Sequence, residues 1–305
     1  MSLSSALKKL LNIDLTVVES ARIDADGSPV IGVRPRKSQL CRCFECGQRR
    51  PVYDMPPTGP RRWRSLNFGT AKVFLEHALP RVSCPEHGVH PAGVPWAHHA
   101  SRFARDFEEQ VAWLCAHANR SVVAALMRID WKSVGGICKR ACDRLEAEAG
   151  SRFGNLLRIG IDETSCKKGR KHMVVVPDHD AGRAVWCGKE RGKKTSRSFF
   201  DLLACSLVAL VLPTGEGLDK WLARACRSHN SKVKELSKKI RRHKDAIACS
   251  VELGISNARV EAVNDKIKLT VRMGYGFRNF DNLIALVMLR CSNLPITLPG
   301  RTQAA

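Results

Sequence analysis

Two short knuckles, Cys43-x-x-Cys46 and Cys84-Pro85-Glu86-His87, constrain the folding of this 305-residue chain more than any other feature. Each sets two soft or borderline metal ligands across a tight turn, and four such ligands close a tetrahedral structural zinc site. One zinc held by Cys43, Cys46, Cys84 and His87 would force two segments to converge across an insert of 37 residues. Gly47 and Gly88 follow the knuckles directly, where a left-handed backbone is often needed. Cys41, His90, His98 and His99 are alternative ligands. The competing reading takes the thiols as small buried apolar groups; the pairing of the knuckles favours zinc. The other cysteines among the thirteen are scattered singly on apolar faces and read as core. The first ten residues carry no signal-peptide pattern, so reduced thiols in the cytosol are expected rather than a disulfide framework. The longest apolar run, Leu202–Leu212, is too short to span a bilayer, and no membrane partner is expected.

Charge adds a second constraint. The formal net charge is +22, and a field of that sign attracts polyanions, with phosphate contacts dominating the affinity of nucleic-acid binders. Ser121–Met127 reads as a short helix, Arg128–Trp131 as a tight connection, and Lys132–Arg140 as the start of a second helix capped by Asp130 or Ser133. Helix, short turn and basic second helix is the helix-turn-helix plan, whose second helix lies in the major groove. On that plan Lys132, Ser133, Lys139, Arg140 and Arg144 face phosphate or base edges. An ordinary helical hairpin with a solvated basic face is the alternative.

Elsewhere the pattern is coarser. Residues 1–36 read as a short helix and an extended stretch turning at Asp24–Gly27; 37–100 as the metal-binding module; 101–150 as helical. Phe107, Val111 and Leu114 form one apolar stripe, and Val122, Val123 and Leu126 another. Leu157, Ile159 and Ile161 alternate as a strand that ends at Asp162, and Met173–Val176 and Ala184–Trp186 flank a hairpin turn at Asp178–Gly182. After about residue 195 the chain reads helical, with a very basic helix at Lys232–Lys244 and an apolar face at Phe280, Leu283, Ile284, Val287, Met288 and Cys291. The tail from 294 reads as loose.

Asp162-Glu163 and Glu261 stand out as carboxylates that distant segments could bring together to hold Mg²⁺, a hard cation that takes oxygen ligands. In a two-metal site such groups clamp the attacking and leaving oxygens of a phosphoryl transfer. A turn residue at 162 and a solvated helix face at 261 are the bland alternatives. Asn257, Glu261, Asn264 and Lys268 fall at helical spacings on one face, with Arg259, Asn264 and Lys268 placed to neutralise phosphate.

Several segments together resemble a known family. They are Cys43-x-x-Cys46 with Cys84–Val89, Val94-Pro95-Trp96-Ala97, Ile159–Ser165, Ser256–Lys268, and Gly274–Phe280 running into Leu289-Arg290-Cys291. The chain resembles bacterial insertion-sequence transposases of the ISL-three family over most of residues 37–293. The resemblance implies a multidomain mixed α and β architecture (α+β and α/β): an N-terminal zinc-binding module (37–100), a helix-turn-helix DNA-binding domain (101–150) and an RNase H-like catalytic domain with a helical C-terminal part (151–293). It implies a structural zinc, a catalytic Mg²⁺ or Mn²⁺, and double-stranded DNA carrying terminal inverted repeats, bound by a homo-oligomer. The reaction implied is metal-dependent strand cleavage and strand transfer at the element's ends.

The family's acidic triad is Asp, Asp, Glu, of which Asp162 matches the first member and Glu261 the last; Arg259 and Lys268 would meet DNA beside them. No residue matches the second. Phe199–Leu203 matches family sequence before that Asp and Gly215–Leu222 sequence well after it, so the central part of the domain is expected to be missing near 204–206. Asp201 belongs to the preceding helix, and Glu216 and Asp219 are the only nearby stand-ins. Two functional readings follow: a transposase with an impaired catalytic domain, and a non-catalytic remnant or regulator that binds element ends. A zinc-containing RNA binder is a third, though nothing resembles an RNA-recognition module.

Overall fold

The computed structural model describes residues 3–11, 13–150, 152–153, 156, 159–167, 171–189, 199, 223, 226–227, 237–238, 241–242, 245, 258–274, 277 and 279–300. The expected junction at 204–206, the stretch Ser206–Leu212, Asp201, Glu216, Asp219, Asn257 and most of the basic helix at 232–244 lie outside the described residues. The chain divides into two compact units, Met1–Ala141 with the tail from Pro295, and Cys142–Leu294.

In the first unit the described elements are α1 (Leu3–Leu11), β1 (Thr16–Ile23), β2 (Pro29–Pro35), β3 (Val52–Asp54), β4 (Arg61–Arg64), β5 (Phe74–His77), β6 (Arg81–Cys84), β7 (Gly88–Pro91), α2 (Arg105–His117), α3 (Arg120–Met127) and α4 (Trp131–Ala149), whose last turns belong to the second unit. The predicted turn at Asp24–Gly27 joins β1 to β2, with Gly27 at φ 79° and its N–H donating to the Asp24 carbonyl at 2.9 Å. That hairpin does not stand alone. β5 adds to β2 in parallel and β4 pairs with β5, giving the order β1-β2-β5-β4. The insert between the two knuckles thus completes a sheet begun by the first 36 residues, burying Val30, Ile31, Val33, Trp63 and Leu75. A second sheet, β3-β6-β7, carries the Cys84 knuckle at the β6–β7 turn.

The helices follow the predicted spacing on α2, where Phe107 and Val111 are fully buried, but not on α3. Val122 and Leu126, expected on the apolar stripe, are exposed, and the inward face is Arg120, Val123, Ala124 and Met127. The cause is Arg120. Its guanidinium lies 3.8 Å from the centre of the Trp131 ring and donates to the Trp131 carbonyl at 3.0 Å. A stacked, hydrogen-bonded arginine therefore takes an inward position that hydrophobicity alone assigns to valine.

The second unit is built on a three-stranded antiparallel sheet of β8 (Asp162–Lys167), β9 (Lys171–Asp178) and β10 (Arg183–Lys189), in the order β10-β9-β8, with α5 (Ala258–Met273) and α6 (Phe280–Cys291). The predicted hairpin is present, closed by Gly182 at φ 62°. Its apolar run is explained by burial on both faces. Met173 and Val175 pack with Val263, Ile267, Leu283 and Val287 of the helices, while Val176 and Val185 pack with Leu156 and Phe199.

One strand differs from expectation in a way that matters. Asp162 does not end a strand; it begins β8. The bridge Ile159↔Asp178 and the pairs Asp162↔Val175 and Thr164↔Met173 keep one register, so Asp162 stands within a continuous antiparallel run. Beyond the carboxylate the buried positions are Thr164 and Cys166, on the face opposite to Ile159 and Ile161, and Ile161 itself is exposed, so the apolar alternation read before Asp162 does not carry through the strand.

Candidate metal centre, recognition helix and acidic site

The two knuckles converge. Cys43, Cys46, Cys84 and His87 bring one ligand atom each within 4.8 Å of one another, and this is the cluster of metal-ligating type among the described residues. Cys46 and Cys84 sulfurs are 3.9 Å apart, and His87 Nδ1 lies 3.4 Å from Cys84 Sγ and 3.7 Å from Cys43 Sγ. A tetrahedral zinc with Zn–S bonds of about 2.3 Å spaces its sulfurs by about 3.8 Å. The donor set and its spacing therefore fit zinc.

Local backbone makes the knuckles. Gly47 donates to the Cys43 carbonyl at 3.0 Å, and Gly47 and Gly88 hold φ of 68° and 74° with open space where a side chain would go. Conformation, not crowding, calls for glycine there. Burial pushes the Cys84 thiol up, but His87 and the backbone N–H groups of Glu86 and His87 outweigh it and bring it down to about 6. Of the alternative ligands, His90 comes nearest. Its Nε2 is 3.2 Å from Cys43 Sγ, while Nδ1 lies 3.0 Å from the Pro91 carbonyl. His99 instead stacks on Phe44, and His98 faces Glu108.

The helix-turn-helix elements are α3 and α4. Asn119 caps α3 by accepting from Ser121 N at 2.8 Å, and Arg128 ends it in the left-handed conformation at φ 53°. Asp130 caps α4, its carboxylate accepting from Lys132 N at 2.6 Å; Ser133 sits in the first turn. Lys132 and Lys139 are exposed one face apart across Gly136, at a spacing of seven residues.

Arg140, expected beside Lys139 on the nucleic-acid side, turns inward. One residue advances a helix by about 100°, which carries Arg140 toward α2. Its Nε donates to Glu108 at 3.0 Å, and a second guanidinium bond is shorter still at 2.5 Å. Glu108 is 2% exposed and also accepts from Ser101 Oγ at 2.6 Å. Arg144 pairs with Glu148 at 2.9 Å, one turn along, in the part of α4 that belongs to the second unit. Neither Glu108 nor Arg120 was singled out by sequence reasoning, because a lone charge on an apolar stripe reads as a surface position until its partner is known.

The acidic site is assembled by α5 crossing β8. At Gly160 a Cβ would come within 2.7 Å of Val260 Cγ2 and 3.0 Å of His179 Nε2, so the first turn of α5 lies directly on the strand. One helical turn further, Asn264 donates its amide N–H to Asp162 Oδ2 and accepts from Thr164 Oγ1 at 2.6 Å. Glu261 lies between these two anchors in sequence, and both Asp162 and Glu261 are exposed. Asn264 itself leaves the phosphate-facing set predicted for it; it is 5% exposed and belongs to the inward stripe Val260, Val263, Asn264, Ile267 and Thr270. Lys268 is exposed and pairs with Asp265 at 3.3 Å, and Arg259 donates to the Asp180 carbonyl at 3.1 Å.

Comparison with known proteins accounts for all three regions. Residues 39–87 match the zinc-finger of transposase IS204/IS1001/IS1096/IS1165, residues 94–142 the helix-turn-helix domain of transposase family ISL3, and residues 159–211 and 214–287 the transposase domain of the same family. The transposases for insertion sequence element IS1557 of two Mycobacterium tuberculosis strains are each 28% identical to this chain over an alignment of 431 positions covering 96% of it and 97% of the relative. The transposase for insertion sequence element IS1001 of Bordetella parapertussis is 25% identical over 171 positions, covering 54% of this chain and 40% of that one. No solved structure matches. Among the described residues no helix is long and apolar enough to cross a membrane. With zinc-finger, helix-turn-helix and transposase domains of one family following in order, this chain belongs to the ISL3 family of insertion-sequence transposases.

Proposed function

We propose that this protein binds the terminal inverted repeats of an insertion sequence and does not, by itself, cut or join them. The observation that carries the reading is the pairing of an acidic site with an alignment to the family much longer than this chain. Asp162 and Glu261 ride on elements joined through Asn264, yet the alignment to the IS1557 relative runs to 431 positions against a chain of 305 residues. More than a hundred of those positions face no residue here. The match to the transposase domain breaks at 212–213, a few residues beyond the expected junction at 204–206.

Asp162 and Glu261 are the residues that would hold Mg²⁺ or Mn²⁺ in an RNase H-like domain. A divalent cation bound there would polarise the phosphodiester and activate water or a DNA 3′-hydroxyl. Two carboxylates are a loose hold for Mg²⁺, and the two-metal clamp needs a third. On the DNA side, Lys132, Ser133 and Lys139 along the exposed face of α4 contact phosphate or base edges, the zinc knuckle braces the same unit, and Arg259 and Lys268 flank the acids. Joining two element ends would require more than one copy on DNA.

The test is strand cleavage on duplexes carrying the element's own ends, with Mg²⁺ or Mn²⁺, beside a binding assay on the same DNA. Binding without nicking is the expected result. Robust cleavage that disappears in both Asp162→Ala and Glu261→Ala would overturn the proposal and turn attention to Glu216 and Asp219 as substitute acids. Equal affinity for RNA would favour the RNA-binding reading.

A further inference from the structure

We propose that Asn264 is a positioning residue for the acidic site: oriented by the Thr164 hydroxyl, its amide aims the Asp162 carboxylate for a divalent cation. The inference rests on the reading of Asp162 and Glu261 as cation ligands.

The geometry leaves the amide one orientation. A carboxylate is an acceptor only, so the Asn264 group that meets Asp162 Oδ2 is the NH₂. The carbonyl end then accepts from the Thr164 hydroxyl at 2.6 Å. Turned over, the amide would set its oxygen against the carboxylate and its NH₂ against a hydroxyl able to accept it, trading one attraction for a repulsion. Thr164 is 3% exposed, so water does not compete for that hydroxyl, and a buried, fully satisfied polar chain is stiff. The other Asp162 oxygen accepts from the Glu163 backbone N–H at 2.7 Å. The carboxylate is therefore held at both oxygens while the residue stays exposed, and an ionised carboxylate with about four acceptor sites keeps about two for a cation.

The link also spans 102 positions and sits three residues after Glu261 on the same helix. One amide thus fixes the direction of the first acid and the seating of the helix that bears the last. An asparagine in an inward stripe with Val260, Val263, Ile267 and Thr270 is costly to bury unless its partners are present. A plain staple between helix and sheet would meet that condition with any polar partner; here the partner is the candidate metal ligand itself.

Outer partners that orient metal ligands typically contribute 10–100-fold to metal affinity, which sets the size of the effect. The experiment titrates Mn²⁺ into the full zinc-loaded chain, following free Mn²⁺ by electron paramagnetic resonance and unfolding by heat in parallel. Mn²⁺ binding that is lost in Asp162→Ala and in Glu261→Ala defines the site. Asn264→Ala is expected to weaken it by about tenfold or more. Thr164→Val, which keeps the shape, removes the hydroxyl and leaves the buried Asn264 carbonyl unpaired, is expected to weaken Mn²⁺ binding with a modest loss of melting temperature, and Thr164→Ser to restore both. Mn²⁺ affinity unchanged in Asn264→Ala and in Thr164→Val, while still dependent on Asp162, would overturn the positioning role and leave Asn264 a structural staple. Absence of any Asp162-dependent Mn²⁺ binding would overturn the acidic-site reading and this inference with it.

Discussion

The zinc knuckle and the proposed acidic site would both gather metal ligands across long sequence separations, yet they are built differently. Each half of the knuckle makes its own geometry. Cys43 and Cys46 are set by a turn ending in Gly47, Cys84 and His87 by the β6–β7 turn ending in Gly88, and only the meeting of two finished halves depends on the rest of the fold. The acidic site has no finished halves. Asp162 acquires its setting from a strand register shared with β9 and from an asparagine 102 positions away. A locally complete half-site tolerates change elsewhere in the chain. A site made of register and helix seating is exposed to every insertion or loss between its parts, and the junction proposed near 204–206 falls between them.

The largest effect that sharpens the contrast is removal of the knuckle metal. Structural zinc contributes on the order of 10–16 kcal/mol of apparent binding free energy that is also folding free energy. About one zinc per chain is expected by metal analysis. Chelation, or Cys84→Ser, should unfold the first unit and abolish DNA binding, while removal of divalent cations from the acidic site leaves folding intact. Because thiolates ligate zinc, its retention should fall on acidification. The Cys84 thiol, brought down to about 6 from its usual 9.0, contributes stability that is present above 9.0 and lost as pH falls toward about 6, while burial pushes the Cys43 thiol up. A first unit that melts at the same temperature with and without metal would erase the distinction between the two clusters.

Next in size is Arg140. Arg140 is partly exposed, but Glu108 is 2% exposed and, among the described residues, keeps only Ser101 and His98 without it; weakening the satisfaction of a buried acceptor costs about 1–3 kcal/mol. Arg140→Ala should therefore lower the melting temperature of the first unit by exposing the loss at Glu108, and the paired change Glu108→Gln with Arg140→Met should recover much of it. A variant of unchanged stability but weakened DNA binding would return Arg140 to the recognition face.

The seating of α5 can be tested at Gly160. A methyl group there meets Val260 Cγ2 and His179 Nε2 at contact distances too short to keep, and overpacking of this kind costs typically about 1–3 kcal/mol. Gly160→Ala should destabilise the second unit, and adding Val260→Ala should relieve part of it. Additive losses would mean that the helix does not rest on that strand position.

How much of this was legible follows the same division. The knuckles, the hairpin at Asp178–Gly182, the cap at Asp130 and the family were readable because each is carried by residues close in sequence. The position of Asp162 within its strand was not, since the buried face beyond it, Thr164 and Cys166, is opposite to the one the apolar alternation at Ile159 and Ile161 marks. The inward face of α3 was misread because Arg120 is made an interior residue by Trp131, eleven positions away. Arg140 and Asn264 were assigned to nucleic-acid contact from helical spacing and charge, which cannot distinguish a solvated polar residue from one with a buried partner.

The smallest predicted effect is the one that isolates recognition. Lys139 is exposed on α4 and neighbours Arg140 in sequence, so the two substitutions form a matched pair. Lys139→Ala should weaken duplex binding and reduce the slope of log affinity against log salt by about 1, the share of one phosphate contact, with a smaller loss of stability than Arg140→Ala. Loss of affinity equal across unrelated sequences would assign Lys139 to the backbone, and loss confined to the element's ends would assign it to a base edge. An unchanged slope and affinity would show that α4 presents another face to DNA, and the exposed Lys132 and Arg128 at the start of that helix would then be the residues to replace.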